Sequence, residues 1–501
     1  MSQQGRGRFA RRALATIGVA ALALLGVAAG SSASYADGGD DGPPTAVQIG
    51  NIIPGTKGSI TVHKFEEHNP PGDFNPDGTS STTGFNPLNG VQFTLYKVNG
   101  IDLTTQAGWV AAQSLTVDAD GNLSGGYSKS PVGPAQETSG GIVTFGNLDI
   151  AVYVVMEGND NGNNNITTKA APFIVTVPLP NANDWLYNVH VYPKNSVTAV
   201  NKTVTSPGSY GLGSTVTWPI TVKIPTIAAD ASFSGFSISD QFDTRLEYVS
   251  YTLVAGVDPV PNATPSVPAP GTPGGTFSVD VLGAGGVNNA FLKAHAGQDL
   301  VLTLTTKVVG VGTIVNDLAN VTINGNTIHT PEPFTRWGDV VILKTNQGTP
   351  AKPLSGATFQ VYDGACSVVD NVASGVGSPI PVNGQTTFTS GPDGKATIAG
   401  LWISDSVTNP AATQRQYCVI ETGAPAGFNI KAPGGWNVMV QVGATQEVDL
   451  TVDNPQKPPV ELPLTGSTGT AMFVAGGIGL LVIAAGASLL AIRRRQGAAQ
   501  K

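Results

Sequence analysis

Three sets of lysine, acid and asparagine can be drawn along the chain: Lys344 with Glu421 and Asn454, Lys202 with Asp240 and Asn316, and Lys64 with Glu157 and Asn195. In water a lysine is protonated and inert. Placed in an apolar core it is desolvated, its pKa falls and neutral amine becomes available. A carboxylic acid in the same place is pushed up and stays protonated. It then hydrogen-bonds the asparagine amide, polarises its carbonyl and shuttles protons. Attack of the amine on the amide carbon forms a C–N bond, expels ammonia and leaves an isopeptide crosslink. Folding supplies the geometry, with effective molarities of order 10⁵ M or more. Glu421, Asp240 and Glu157 are therefore the expected promoting acids.

Such sets need strands to carry them. In "WLYNVHVYPKN" (185–195), Trp185, Tyr187, Val189 and Val191 recur at every second position, the pattern of a strand with one buried face. Val, Thr and Ile runs broken by turn residues recur throughout, with 63 Gly, 36 Pro and only 12% charged residues. No amphipathic helix is expected in the body, so the fold class is all-β.

Two stretches share a skeleton. "GSITVHKFE" (58–66) answers "GDVVILKTN" (338–346), and "LNGVQFTLYKV" (88–98) answers "LSGATFQVYDG" (354–364). "AVYVVMEG" (151–158) answers "QYCVIETG" (416–423), and "NVHVYPKN" (188–195) answers "DLTVDNPQ" (449–456). Each is a strand with a lysine, a Gly-led strand, a strand with a glutamate and a last strand with an asparagine. The middle set runs differently: Lys202 in "VNKTV", an early aspartate in "SISDQFDTRLEYV", then Asn316 in "GTIVNDL". Asn320 shares that strand face and remains an alternative to Asn316. The first set leaves open whether a bond forms, because "YVVMEGNDNG" has no Ala-Pro after Glu157.

The predicted domains are 37–196, 197–336 and 337–456, followed by a Pro-rich stalk and a short terminal motif at 457–466. "PVPNATPSVPAPGTPGG" (259–275) reads as a mobile low-complexity insertion. Cys366 and Cys418 both flank strand-like runs, and a disulfide between them is expected; the closed loop is worth about 4 kcal/mol on a chain-entropy model. The net charge of −8 argues against nucleic acid as a partner. "DADGN" (118–122) begins like a calcium loop but lacks the later Gly and closing glutamate, so a β-turn is expected there and no metal or other cofactor. The five histidines form no catalytic cluster with a readable spacing, and no enzyme activity on an external substrate is expected.

The ends speak of export. Residues 1–36 combine a basic start, the apolar "ALATIGVAALALLGVAAG" and the small-residue "SSASYA", which reads as a signal peptide cleaved after Ala36. Residues 470–492 are apolar and long enough to cross a bilayer as a helix. The basic tail 493–501 opens with Arg493, Arg494 and Arg495, which places it inside.

Just before that span stands "ELPLTGSTG". Leu462, Pro463, Leu464, Thr465 and Gly466, then the span, then the basic tail, resemble the LPXTG-type sorting signal of Gram-positive sortase substrates. The resemblance implies that a sortase cuts between Thr465 and Gly466 and passes the Thr465 carboxyl to an amine. "YCVIETGAPAGFNI" resembles the E-box of sortase-assembled pilins, and "LYNVHVYPKN" their pilin motif, with Lys194 as its lysine. The whole exported chain is thus similar to a major (backbone) pilin. The resemblance implies three tandem immunoglobulin-like β-sandwich domains, Cna-B-like in the first and third and Cna-A-like in the middle. It further implies a structural shaft subunit of a cell-wall-anchored fimbria that supports adhesion. Its implied partners are other copies of itself, pilus-specific and housekeeping sortases, minor pilins and peptidoglycan, with the membrane a partner only before sorting. The runner-up is a monomeric wall-anchored adhesin.

Overall fold

The computed structural model describes residues 52–68, 72–181, 184–445 and 447–458, with Val474, Ile478 and Ala487 as isolated helical positions beyond them. The expected signal peptide, the Leu462–Gly466 motif and the basic tail lie outside the described residues. Among the described residues no helix is long and apolar enough to cross a membrane.

Strands dominate. In the first part of the chain, Gly58–His63 lies between Asn188–Val191, parallel to it, and Ile142–Leu148, antiparallel. A second sheet orders Lys129–Pro131, Val91–Val98, Ala151–Asp160 and Phe173–Val177. Along Val91–Val98 the residues alternate, so that Val91, Phe93 and Leu95 are fully buried. They meet Ile60, Val62 and Phe145 from the first sheet in one core.

Ala151–Asp160 instead starts with five buried residues in a row. Its second face packs Val152 and Val154 against Leu103, Ala112 and Leu115. Ala112 belongs to a helix at Gln106–Ser114, capped by Thr105 accepting from the Gly108 N–H. This helix corrects the expectation of a helix-free body; a second, shorter one lies at Asn289–Ala294.

In the middle part, a sheet runs in the order Val200–Lys202, Thr215–Lys223, Asp299–Val308, Phe236–Ala255, Pro273–Asp280 and Thr264–Ser266. Thr264–Ser266 pairs with Pro273–Asp280, so the stretch at 259–275, expected to be a structureless insertion, is partly a hairpin. In the last part, Phe334–Asn346 pairs antiparallel with Lys395–Asp405 and parallel with Leu450–Asn454. The facing sheet holds Val372–Val376, Thr358–Val369, Gln414–Gly423 and Gly435–Gln441.

The start of Phe334–Asn346 also pairs with Gly312–Val315, so one strand runs from the middle part into the last. The two parts share one continuous apolar core. The Arg415 guanidinium reinforces the seam, lying over Tyr210 at 4.4 Å and Trp402 at 4.7 Å while pairing with Asp363. The first part touches the middle more lightly, through Asn324 Nδ2 donating to Thr168 Oγ1 and Asn326 Nδ2 donating to the Thr167 carbonyl. Cys366 and Cys418 form the expected disulfide, tying Thr358–Val369 to Gln414–Gly423.

Candidate functional site

The structure brings all three sets together in cores. Lys64, Lys344, Asn195, Asn316 and Asn454 have no exposed surface, and Lys202, Asp240 and Glu421 have almost none. In the last part, Asn454 Nδ2 donates to Glu421 Oε1 at 2.6 Å, and Lys344 Nζ stands 3.9 Å from the same oxygen. Lys344 Nζ donates to the Val452 carbonyl at 2.9 Å, while Glu421 Oε2 and Asn454 Oδ1 are buried without a partner. In the middle part, Lys202 Nζ donates to Asp240 Oδ1 at 2.6 Å and Asn316 Nδ2 to Asp240 Oδ2 at 3.1 Å. Asn320 lies half-buried on Asn320–Ile323, opposite Ser239, so Asn316 is the asparagine at the acid. In the first part, Glu157 bridges the pair: Oε2 accepts from Lys64 at 2.8 Å and Oε1 from Asn195 Nδ2 at 2.5 Å. Asn195 Oδ1 accepts from Lys64 Nζ and from the Ala170 N–H at 2.8 Å.

Register explains why the sets meet. The parallel pairing of first and last strands puts Asn454 opposite Asn346, two residues past Lys344. It puts Asn195 opposite Glu66, two residues past Lys64. Lysine and asparagine therefore share a face. Each acid also stands across a strand pair from a fully buried phenylalanine: Glu157 from Phe93, Asp240 from Phe277, Glu421 from Phe359. These rings were missed in the sequence, although "GVQF", "GTF" and "GATF" mark them. They help exclude water, and the consequences run as the chemistry requires. Desolvation brings Lys344 and Lys64 from an ordinary 10.5 to about 8, against the pull of Glu421 and Glu157. At pH 7 roughly a tenth of such a lysine is neutral, some 300-fold more than usual. Lys202 moves down for the same reason, and desolvation moves Asp240 and Glu421 up.

Lys194 directly precedes the buried Asn195 and is half-exposed. It begins the strand Lys194–Val197, where Lys194 stands opposite Phe65.

Residues 55–196 match the Gram-positive pilin subunit D1 N-terminal domain, 338–455 a prealbumin-like fold domain, and 454–498 the LPXTG cell wall anchor motif. The fimbrial subunit type 2 of Actinomyces naeslundii is 32% identical over 97% of this chain and 97% of its own length. The chain belongs to the Gram-positive pilins. The type 1 subunit of Actinomyces viscosus is 28% identical over 90% of this chain and 92% of its own. Among solved structures, the major pilin SpaD of Corynebacterium diphtheriae is 26% identical, covering 82% of this chain and 100% of its own with a TM-score of 0.65. The major pilin SpaA of the same organism, also 26% identical, covers 80% and 100% with a TM-score of 0.53. This pilin is a structural subunit of cell-wall-anchored surface pili, and these likenesses do not favour a monomeric adhesin.

The pilin also carries a histidine pair near Lys194. His63 Nε2 and His190 Nδ1 lie 2.8 Å apart, at hydrogen-bond distance. Burial, then His190, lowers the His63 pKa from 6.5. A lowered histidine stabilises the fold relative to the protonated case only while it stays neutral, so stability falls as pH drops below about 6.5. The first-domain melting transition should fall between pH 7.5 and pH 5, and His63→Gln should flatten that dependence. An equal slope in the variant would assign the loss to other groups.

Proposed function

We propose that this pilin is a shaft subunit, polymerised head to tail and crosslinked within each of three domains, 37–196, 197–336 and 337–456. The observation that carries the reading is the pair Lys194–Asn195. Asn195 is turned into the core against Lys64 and Glu157, and its neighbour Lys194 is left at the surface. A sorting signal supplies an acyl donor at Thr465, and a polymer needs a matching amine on another copy. In the net reaction an amide forms between the Thr465 carbonyl and Lys194 Nζ of the next subunit. The Thr465–Gly466 bond breaks, and the proton leaving Nζ ends on the Gly466 amine. A pilus-specific sortase performs this step, a housekeeping sortase passes the finished fibre to peptidoglycan, and minor pilins complete it.

Inside each domain the crosslinks form without an enzyme: Lys344 with Asn454, Lys202 with Asn316, and Lys64 with Asn195. The acids Glu421, Asp240 and Glu157 promote them. The buried geometry and the shifted pKa values support this, and the SpaA structure is described as pointing to a modular pilus assembly stabilizing isopeptide bonds. Pulling force between Lys194 and Thr465 then passes through the covalent ties of the middle and last domains.

The test is a digest of native fibres. A branched tryptic peptide should contain Lys194 and Thr465 together, and Lys194→Ala should reduce the detergent-resistant ladder to a single species. Thr465 found joined only to peptidoglycan, with a single wall-linked species and no ladder in the wild type, would return the adhesin reading.

A further inference from the structure

Lys194 does not project freely. Its Nζ lies 5.4 Å from the ring centre of Phe74 and 5.7 Å from that of Phe85, and among the described residues no carboxylate pairs with it. Both rings come from the segment between Phe65–Glu66 and Val91–Val98, remote from Lys194 in sequence. They meet edge to face at 4.9 Å. Phe74 stacks on Tyr192 at 4.4 Å with an 8° tilt, and Tyr192 stacks on His63 at 4.7 Å. His63 is held in turn by His190. A continuous column of rings therefore runs from the first sheet to the Lys194 side chain. Tyr192 and Lys194 are two residues apart and share the outward side, while Asn195 faces the core. Gly72 completes the wall, since a Cβ there would come within 2.6 Å of both phenylalanine rings.

Other lysines of the same domain are held differently: Lys129 lies over one ring only, Tyr96 at 5.2 Å, and also donates to the Gly121 carbonyl, whereas Lys194 lies over two. Lys57 and Lys97 pair with Asp149, and Lys169 donates to the Gly158 carbonyl. A carboxylate partner fixes an ammonium by charge and leaves its direction loose. Two ring faces at an angle fix direction, because the quadrupole attraction exists only over each face.

We propose that Phe74 and Phe85 are positioning residues for the subunit linkage, holding the Lys194 side chain in the one direction from which a sortase takes it and so selecting it over the other lysines. The proposal rests on Lys194 being the acceptor. Tyr192 and the histidine pair act through the rings, by fixing where Phe74 lies.

The test separates ring contact from linkage. Exported protein is trace-labelled with an N-hydroxysuccinimide acetate ester, and Lys194 acetylation is read by mass spectrometry relative to Lys169 in the same molecule. Replacing both rings, Phe74→Leu with Phe85→Leu, keeps apolar bulk and removes the quadrupoles. Lys194 labelling should rise roughly fivefold, the scale of two surface cation–π contacts. In cells the same variant should give a weaker ladder, with branched peptides appearing at other lysines. The pair Phe74→Tyr and Phe85→Tyr should restore both readouts. Global loss of structure would raise labelling at Lys169 as well, and the single Phe85→Leu variant, expected to show a smaller shift in both readouts, then carries the test. Unchanged labelling in the leucine variant, or a full ladder linked only at Lys194, overturns the proposal. A ladder that persists in Lys194→Ala overturns the acceptor reading and the positioning role with it. A ladder lost in Lys194→Ala yet normal in the leucine pair overturns the ring proposal alone.

Discussion

Replacing Glu421 with alanine should leave Lys344 and Asn454 side by side and unlinked. In the native geometry Glu421 Oε1 accepts from Asn454 and stands 3.9 Å from the Lys344 amine, so one carboxyl serves both reacting groups. Without it no acid stands ready to protonate the departing ammonia or to polarise the asparagine carbonyl, whose oxygen is buried without a partner. The exported variant should be heavier than wild type by one ammonia, corrected for the substitution. The crosslink would close a loop of roughly 110 residues, worth about 4–5 kcal/mol on a chain-entropy model. The melting transition of the last domain should accordingly fall by about 15–20 °C. Trypsin should cut that domain more readily. A mass deficit equal to wild type would make Glu421 a bystander. Glu421→Gln separates cavity from chemistry, since it keeps the volume and should still give the heavier product.

How far the sequence could be read follows from which contacts are periodic. Alternating positions in "VQFTLYKV" place Phe93 and Leu95 inside without any knowledge of their partners. The internal repeat placed Lys64 beside Asn195 and Lys344 beside Asn454, because equivalent strands pair with the same two-residue offset. The middle set had no repeat to lean on, and the choice between Asn316 and Asn320 needed the turn between Gly312–Val315 and Asn320–Ile323 to be seen. The helix at Gln106–Ser114 escaped because only Gly108 and Ala112 are buried along it, too thin a stripe to read as a periodic face. Its existence was implicit elsewhere: the run "AVYVV" is buried on both faces, which requires something to cover the outer one. The rings at Lys194 were not legible at all. Phe74 and Phe85 meet it only through the path of an irregular segment, and no local pattern encodes that path.

The first domain should also carry its bond, although its acid lies in the least typical setting. "YVVMEGNDNG" lacks the residues that follow Glu421, and this argued against a crosslink. The geometry argues for one. Glu157 touches Lys64 and Asn195 with separate oxygens, and the Ala170 N–H donates to the asparagine carbonyl at 2.8 Å. A donor fixed on that oxygen stabilises the charge that develops as the amine adds, a contact not made to the buried Asn316 and Asn454 oxygens. The exported chain should therefore be three ammonias lighter than calculated, and Glu157→Ala should be two lighter than its own calculated mass. In a digest, Lys64 and Asn195 should appear in one branched peptide in wild type and in separate peptides in the variant. The bond has a further consequence for assembly. Once Asn195 is covalently tied inward, Lys194 cannot rotate into the core, and the register with Phe65 that sets it beneath the rings is locked. Glu157→Ala should thus lower the yield of linkages at Lys194 while leaving that lysine chemically intact. Full recovery of Lys64 as a free amine in wild-type fibres would show that hydrogen bonds alone hold this strand, and that the orientation of Lys194 is set without a crosslink.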